Sequence, residues 1–445
     1  MRYQTLWHRF IFLATSALAL YATAPGFNIV QAQSQSISRD REYAQIMLSD
    51  VHDTLKKNYY DPSFHGIDID SRLKKYSAEI KSANTFQAAF RLIEAYLVGL
   101  NDSHTAFIPP PNNNRIRYGF RYEMIGDKCF VTALRPGSDA EQKLKLGDQI
   151  LSLDGYAVNR VDLWQLEYYL DFLPPRQTTD FTLRNPSGSV RQESVTAQLE
   201  ALPLRRGFSP SIARMQIETW QHNIRSRSME RGDVFVWKLA SFSEDEGSIS
   251  HMLGEARKHK ALVLDLRENP GGLRDNLLFL VGGLFDHDVT IGTESTRKRQ
   301  KPVIAKTHGH SVFNGQLTVL IDSRSASASE ILARVVQLDH RGVVVGDRSS
   351  GSVMLGQFFP LWTSSGFGLV YGAEITIADM IMSDGKSLEH AGVTPDILLL
   401  PTAEDLAEGR DPVLSRAADL AGIKLDPTSA GKLFPHEWPS PEPTE

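Results

Sequence analysis

The chain has 445 residues, 41% of them hydrophobic and 23% charged, with a formal net charge of −5. That is the balance of a globular protein of two or three domains, and it gives no argument for nucleic-acid binding. The single cysteine, Cys129, excludes an intramolecular disulfide and a cysteine-rich zinc site; within Cys129-Phe130-Val131 it reads as a small core residue.

The N-terminus reads as a secretion signal over 1–32. Arg2 and Arg9 give a positive start, and Phe10 to Tyr21 is apolar but too short for a comfortable membrane span. Val30-Gln31-Ala32 then offers a cleavage site. A secreted or periplasmic protein, with no stable membrane span after cleavage, is expected. Residues 38–111 carry a helical pattern: Tyr43, Ile46, Met47 and Val51 share one face, and Phe90, Ile93, Tyr96 and Leu97 repeat the device. The segment closes on a polar loop, Asn101-Asp102-Ser103-His104-Thr105, and on Pro109-Pro110, which mark a domain edge.

Residues 118–201 switch to short strands and turns. Tyr118-Gly119-Phe120 opens them, and Leu146-Gly147-Asp148-Gln149-Ile150-Leu151-Ser152-Leu153-Asp154-Gly155 is their most specific run. A helical piece is expected from Leu163 to Phe172. The region resembles a PDZ domain, a module that adds a peptide C-terminus to a sheet edge. In that resemblance Tyr118, Gly119 and Phe120 form the carboxylate-binding loop, with glycine permitting the tight turn. Residues 202–232 read as a joining segment.

Residues 233–425 read as α/β. Val234 to Trp237, Ala261 to Leu266, Leu317 to Ile321 and Gly342 to Asp347 are apolar strands. Helices are expected over Ser250 to His259, Leu273 to Phe285, from Ile331 onward and over Pro412 to Ala421, with a closing strand from Ile397 to Leu400. This alternation implies a largely parallel sheet with right-handed crossovers and a site beyond the carboxyl ends of its strands. Gly271-Gly272 and Ser327 both stand at such ends. The Pro-rich, acidic stretch 435–445 reads as disordered.

Ser325-Ala326-Ser327-Ala328-Ser329-Glu330 sits where a strand turns into a helix. A nucleophile there meets the unpaired N–H groups of the helix start, which can hold an oxyanion. On the hexapeptide alone the same residues also fit a capping box, Ser327-x-x-Glu330.

Taken together, the Asp-Ser-His-Thr loop, the PDZ-like run, Leu264-Asp265-Leu266-Arg267-Glu268-Asn269-Pro270-Gly271-Gly272, the Ser327 hexapeptide, Val344-Val345-Gly346-Asp347, Asp384-Gly385-Lys386-Ser387-Leu388-Glu389 and Gly392-Val393-Thr394-Pro395-Asp396 resemble the tail-specific (carboxyl-terminal-processing) serine protease family. The resemblance implies a crotonase-like α/β core, an inserted PDZ domain and Ser327 as nucleophile. It also carries a departure. Better-known members use a serine–lysine dyad, with lysine in a turn that here reads Ser349-Ser350-Gly351-Ser352; Ser352 stands at the lysine's place and is not basic near neutral pH. Lys386 matches a different, non-catalytic part of the pattern. The tricorn-like branch uses serine, histidine and glutamate with a second serine beside the histidine, and those roles fall on Ser327, His104, Glu389 and Ser103. Glu389 is then expected on the far ring nitrogen of His104. The oxyanion hole falls on the N–H of Ala328 with Gly271 or Gly272. His308, His310, His340 and His390 match no catalytic position.

The expected activity is that of a secreted serine endopeptidase acting through an acyl-enzyme. Its partners are polypeptides engaged through their C-termini, and no metal or cofactor is implied. The alternative is an inactive relative that binds peptides or other ligands. A plain ester hydrolase of the α/β type lacks its Gly-x-Ser-x-Gly signature here.

Overall fold

The structure, a computed structural model, describes residues 36–110, 114–161, 163, 177–201, 226–362, 370–436 and 438. The expected signal segment, the helical piece beyond Leu163 and most of the joining segment lie outside them.

Three helices open the described chain: α1 (36–58), α2 (Ile69–Ile80) and α3 (Phe86–Val98). Asp68 and Thr85 cap the second and third by accepting the N–H of Ser71 and Ala88, which satisfies donors that a helix start leaves unpaired. Ala44, Met47, Val51 and Leu55 recur at helical spacing and pack against Phe90, Ile93 and Leu97. The same cluster takes in Tyr371, Ala373 and Ile375 from far down the chain. The segment is therefore not purely helical or separate: strand β1 (Ala106–Ile108) leaves it to pair with the strand that carries those residues.

A small antiparallel unit follows: β2 (Asn114–Arg117), β3 (Phe120–Ile125), β4 (Lys128–Leu134), α4 (Asp139–Lys143), β5 (Gln149–Leu153), β6 (Tyr156–Ala157), β7 (Thr178–Arg184), β8 (Val190–Thr196) and β9 (Gln198–Ala201). Its sheet runs β3-β4-β5-β7-β8, with β6 on β5. Met124, Val131, Ile150, Phe181, Leu183 and Val195 give it a core of its own. The entering and leaving strands, β2 and β9, pair with each other.

The remaining chain builds β10 (Arg227–Arg231), β11 (Val234–Lys238), α5 (Glu246–Ala256), β12 (Ala261–Asp265), α6 (Arg274–Leu284), β13 (Val289–Thr296), β14 (Gln300–Ala305), β15 (Gln316–Ile321), α7 (Ala328–Leu338), β16 (Val343–Gly346), β17 (Leu355–Trp362), β18 (Val370–Met382), β19 (Ile397–Leu398), α8 (Ala403–Ala407), α9 (Pro412–Leu420) and α10 (Pro427–Gly431). One sheet runs β10-β11-β12-β15-β16-β19 and is parallel from β11 to β19. Helices α5, α6 and α7 cover one face and α9 the other, so Ala261–Asp265 is buried at every position. Arg227–Arg231, expected as the end of a connecting segment, is an antiparallel edge strand of this sheet. A second sheet, β1-β18-β13-β14 with β17 on β18, is antiparallel. The alternating α/β pattern does not foretell it.

The C-terminal stretch read as disordered begins with ordered contacts. Trp438 Nε1–H donates to the Leu134 carbonyl at 3.1 Å, and Arg227 donates to the Pro435 carbonyl at 3.0 Å. The tail thus touches both the antiparallel unit and the core sheet.

Candidate active site

Ser327 precedes α7 with φ +55° and ψ −116°, a sparsely populated conformation for a residue with a side chain, costing of order 1–3 kcal/mol. Two hydrogen bonds hold it there. Its N–H donates to the Ser352 carbonyl at 2.8 Å and to Glu330 Oε2 at 3.0 Å. The N–H of Ala328 has no acceptor among the described residues, as the first position of a helix allows. Glu330 thus makes its side of the expected capping box.

The loop after β12 comes against this elbow. A Cβ on Gly271, whose φ is +93°, would stand 2.7 Å from Ser327 Cβ; only glycine permits that approach. Its N–H, however, is given to Asn269 Oδ1 at 2.9 Å. Of the two glycines expected to donate to an oxyanion, Gly271 therefore supplies proximity. The N–H of Gly272 is the one with no acceptor among the described residues. Asn269 was not singled out from sequence. It is fully buried, donates to the Leu239 carbonyl, and its own carbonyl accepts from the Ala326 N–H and the Ser329 hydroxyl. It thereby ties the glycine loop to the nucleophile loop.

His104 lies on the loop between α3 and β1. Its Nδ1 is 2.8 Å from Ser103 Oγ, and its N–H donates to Asp102 Oδ1 at 2.8 Å. Asp102 also accepts from Thr376 Oγ1 on β18, so the antiparallel sheet fixes the histidine loop. Glu389 does not sit on the histidine ring, contrary to expectation. Its Oε1 accepts the Ser103 N–H at 2.9 Å and its Oε2 accepts the Val353 N–H at 3.0 Å. A hydroxyl, not a carboxylate, occupies the far ring nitrogen, and the carboxylate holds the main chain that presents it. Among the described residues no hydrogen bond joins Ser327 Oγ to His104. Glu374 on β18 is a further acid near this histidine; burial pushes its carboxyl up, with the His104 charge opposing.

Neither Lys386 nor Lys238 fits the missing base's role. Lys386 is exposed. Lys238 is buried, which alone would depress it, but Asp265 and Glu268 hold it above the ordinary lysine range, the wrong direction for a base. His390 Nε2 is 2.8 Å from the Asn101 carbonyl, and His308 packs on Phe279. Among the described residues no cluster of three or more His, Cys, Asp or Glu could hold a metal ion, and no helix is long and apolar enough to cross a membrane.

The antiparallel unit reaches the same loops. Tyr118-Gly119-Phe120 forms the turn into β3, with Gly119 at φ +79° and its carbonyl accepting the Arg135 N–H. On β3 the Tyr122 carbonyl accepts Arg324 Nε–H and Nη2–H at 3.1 and 2.6 Å, and the Met124 carbonyl accepts the Ser323 hydroxyl at 2.6 Å. Arg121 faces Glu268 at 3.5 Å. The strand therefore docks on the two loops that carry Ser327 and Gly271.

Ser327 at a helix start, the uncommitted N–H groups of Ala328 and Gly272 and the Ser103-bonded ring of His104 are the kinds of group an acyl-transfer site uses, here on a mixed α/β fold. Residues 233–399 match the family described as Peptidase family S41, and residues 40–97 match the Tricorn protease C1 domain. Carboxyl-terminal-processing peptidase 3 of Arabidopsis thaliana, chloroplastic, is 25% identical over 86% of this chain and 74% of its own. The tail-specific protease of Haemophilus influenzae is 25% identical over 73% of this chain and 48% of its own. Among solved structures, mature CPAF complexed with lactacystin matches with a TM-score of 0.62 at 16% identity, covering 83% of this chain and 96% of that one. The photosystem II D1 C-terminal processing protease gives 0.53 at 21%, covering 88% and 99%. Residues 233–399 thus carry the domain of Peptidase family S41, the chain is similar to carboxyl-terminal-processing (tail-specific) proteases over most of its length, and it is a serine-type peptidase.

Proposed function

We propose that the protein is a secreted serine endopeptidase that works without a lysine base, in the manner of the tricorn-like branch. The observation that carries this reading is the Ser103 hydroxyl on His104 Nδ1, with Ser103 itself held by Glu389. A partner on Nδ1 leaves Nε2 to take a proton.

Ser327 Oγ attacks the scissile carbonyl while His104 Nε2 accepts its proton. The tetrahedral oxyanion is received by the N–H groups of Ala328 and Gly272. Collapse expels the amine, protonated by His104, and leaves an acyl-Ser327. Water, deprotonated by the same histidine, then releases the second product. The absent Ser327–His104 hydrogen bond is made when substrate settles in the cleft, as is common between free and bound enzymes. The domain scheme supporting this activity is an entry segment over 38–111, a PDZ domain over 118–201 and a crotonase-like catalytic core over 233–425. The PDZ domain recognises a substrate C-terminus through Tyr118, Gly119 and Phe120 and the edge of β3, and thereby positions the substrate or gates the site. The N-terminal segment 1–32 directs secretion and is removed.

Labelling the mature protein with a fluorophosphonate, located by peptide mass spectrometry, tests the assignment. Label on Ser327 that is lost in His104→Ala supports it. Label that survives in His104→Ala removes the histidine from the role of base. An absence of label on any serine, with and without a C-terminal peptide, replaces the enzyme by a peptide-binding relative.

A further inference from the structure

Four donors converge on one carboxylate next to the nucleophile. Glu330 is fully buried. Its Oε1 accepts the Ser349 hydroxyl at 2.6 Å and the Gly351 N–H at 2.7 Å; its Oε2 accepts the Ser352 N–H at 2.8 Å and the Ser327 N–H at 3.0 Å. An ordinary capping box uses one such bond. Here the other three reach across to the turn 349–353, the turn at which serine–lysine relatives carry their base.

That turn is otherwise laced to the nucleophile loop by its main chain. The Ser350 N–H donates to the Ser325 carbonyl at 3.0 Å, and the Ser327 N–H donates to the Ser352 carbonyl at 2.8 Å. Its far end is held by Glu389, whose other oxygen holds Ser103. A continuous path therefore runs from Ser327 through Glu330, Ser352 and Val353 to Glu389, Ser103 and His104. The two carboxylates grip one turn from opposite ends, one from the nucleophile's helix and one from the loop that supports the histidine.

We propose that Glu330 is a positioning residue for the reaction: by gathering the N–H groups of Ser327, Gly351 and Ser352 and the Ser349 hydroxyl, it holds Ser327 in its left-handed conformation and fixes the nucleophile relative to the turn that leads to His104. All four partners of Glu330 are neutral donors, the set that suits a buried carboxylate. Burial outweighs the four donors, which pull the other way, and leaves its carboxyl pushed up to about 7. A glutamine is nearly isosteric but turns an NH2 group toward two of the donors, so Glu330→Gln removes the clamp while keeping the volume.

The proposal rests on the serine-peptidase reading of Ser327, and two measurements separate the two. Hydrogen exchange of peptides covering 326–329 and 349–353 reads the clamp without any turnover. Fluorophosphonate labelling and peptide hydrolysis read its catalytic effect. In full-length Glu330→Gln, exchange should accelerate in both peptides while exchange in α9 stays unchanged; labelling of Ser327 and kcat should fall about 100-fold, with KM within about threefold of the parent. A parent protein that is never labelled overturns the peptidase reading, and the exchange result still decides the clamp. Unchanged exchange in both peptides, or accelerated exchange with parental labelling and kcat, overturns the positioning role. If Glu330→Gln does not fold, Ser349→Ala serves instead; it removes one of the four donors to Glu330, together with the acceptor of the Val393 N–H, and should slow labelling by roughly three- to tenfold, unchanged labelling overturning the proposal.

Discussion

Arg324 donates two hydrogen bonds, at 2.6 and 3.1 Å, to the carbonyl of Tyr122. Arg324 stands three residues before the proposed nucleophile, and Tyr122 lies on β3. Glu123 and Ile125 face Phe130 and Lys128 across the tight β3–β4 turn, so the carbonyls of Tyr122 and Met124 point away from β4. They are the acceptors that an added peptide strand would use. The nucleophile loop already occupies them through Arg324 and Ser323. A peptide binding this edge must displace Arg324, so Arg324→Ala should raise the affinity for a C-terminal peptide about tenfold, read by calorimetry. Unchanged or weaker affinity would place the peptide elsewhere.

Ser103 and Glu389 act at different points, and their substitutions should separate. Ser103→Ala removes the group on His104 Nδ1 and should lower kcat roughly 10- to 100-fold, leaving KM nearly unchanged. Glu389→Gln retains an acceptor for one of the two N–H groups and should cost less than Glu389→Ala, which frees both Ser103 and Val353. Equal losses for the two Glu389 variants would give the carboxylate's charge, rather than its reach, the main role.

Glu123 predicts a pH dependence. Burial, followed by the neighbouring carboxylates of Asp322 and Glu268, holds its carboxyl well above the usual range; Asp322 is raised too, again chiefly by burial. A carboxyl raised in the folded state contributes stability that is complete below its unfolded pKa and is lost as pH rises through the folded value. The docking of β3 on the nucleophile loop should therefore loosen as pH rises above the ordinary carboxylate range, seen as faster exchange in 120–125 after correction for intrinsic rates. Glu123→Gln, which cannot ionise, should flatten that rise. A variant with the parental slope would show that the titrating group is another.

Asn269 should be costly to replace. Asn269→Ala leaves the Gly271 N–H and the Leu239 carbonyl without their partner in a fully buried setting, which costs about 1–3 kcal/mol for each unsatisfied group. We expect a fall in thermal stability together with a larger fall in kcat than in binding, since the loop bearing Gly271 and Gly272 is what it anchors. Loss of stability with parental kcat per folded molecule would separate Asn269 from the oxyanion loop.

Much of the core is written locally. Ala261 to Leu264 and Leu317 to Ile321 are strands because apolar residues run on with Thr318 as the one polar member, which suits a sheet covered on both faces. The hexapeptide around Ser327 is legible because small residues between a strand and a helix have few other uses. The helix boundaries drift by a few residues: α5 starts at Glu246, not Ser250, because Asp245 caps it by accepting the Ser248 N–H. The antiparallel sheet was not legible. β18 pairs with β1, β13 and β17, partners scattered over the chain, and no local pattern encodes such pairings.

By itself the sequence determined the elements of the parallel core and the residue types available for chemistry: Ser327 at a helix start, His104 in a polar loop, serine where relatives carry lysine. Side-chain periodicity and turn chemistry act over a few residues, so they can be read one stretch at a time. Only the tertiary structure decided which atoms meet. It set Ser103 rather than Glu389 on the histidine ring, committed the Gly271 N–H to Asn269, turned a helix-capping glutamate into a four-donor anchor and laid Arg324 along β3. Each is a hydrogen bond between segments far apart in the chain, except the adjacent Ser103–His104 pair, the Asn269–Gly271 turn and the Ser327–Glu330 member of the anchor. Even those depend on how distant strands orient the loops, because a polar group's partner is fixed by the packing that brings it out of water.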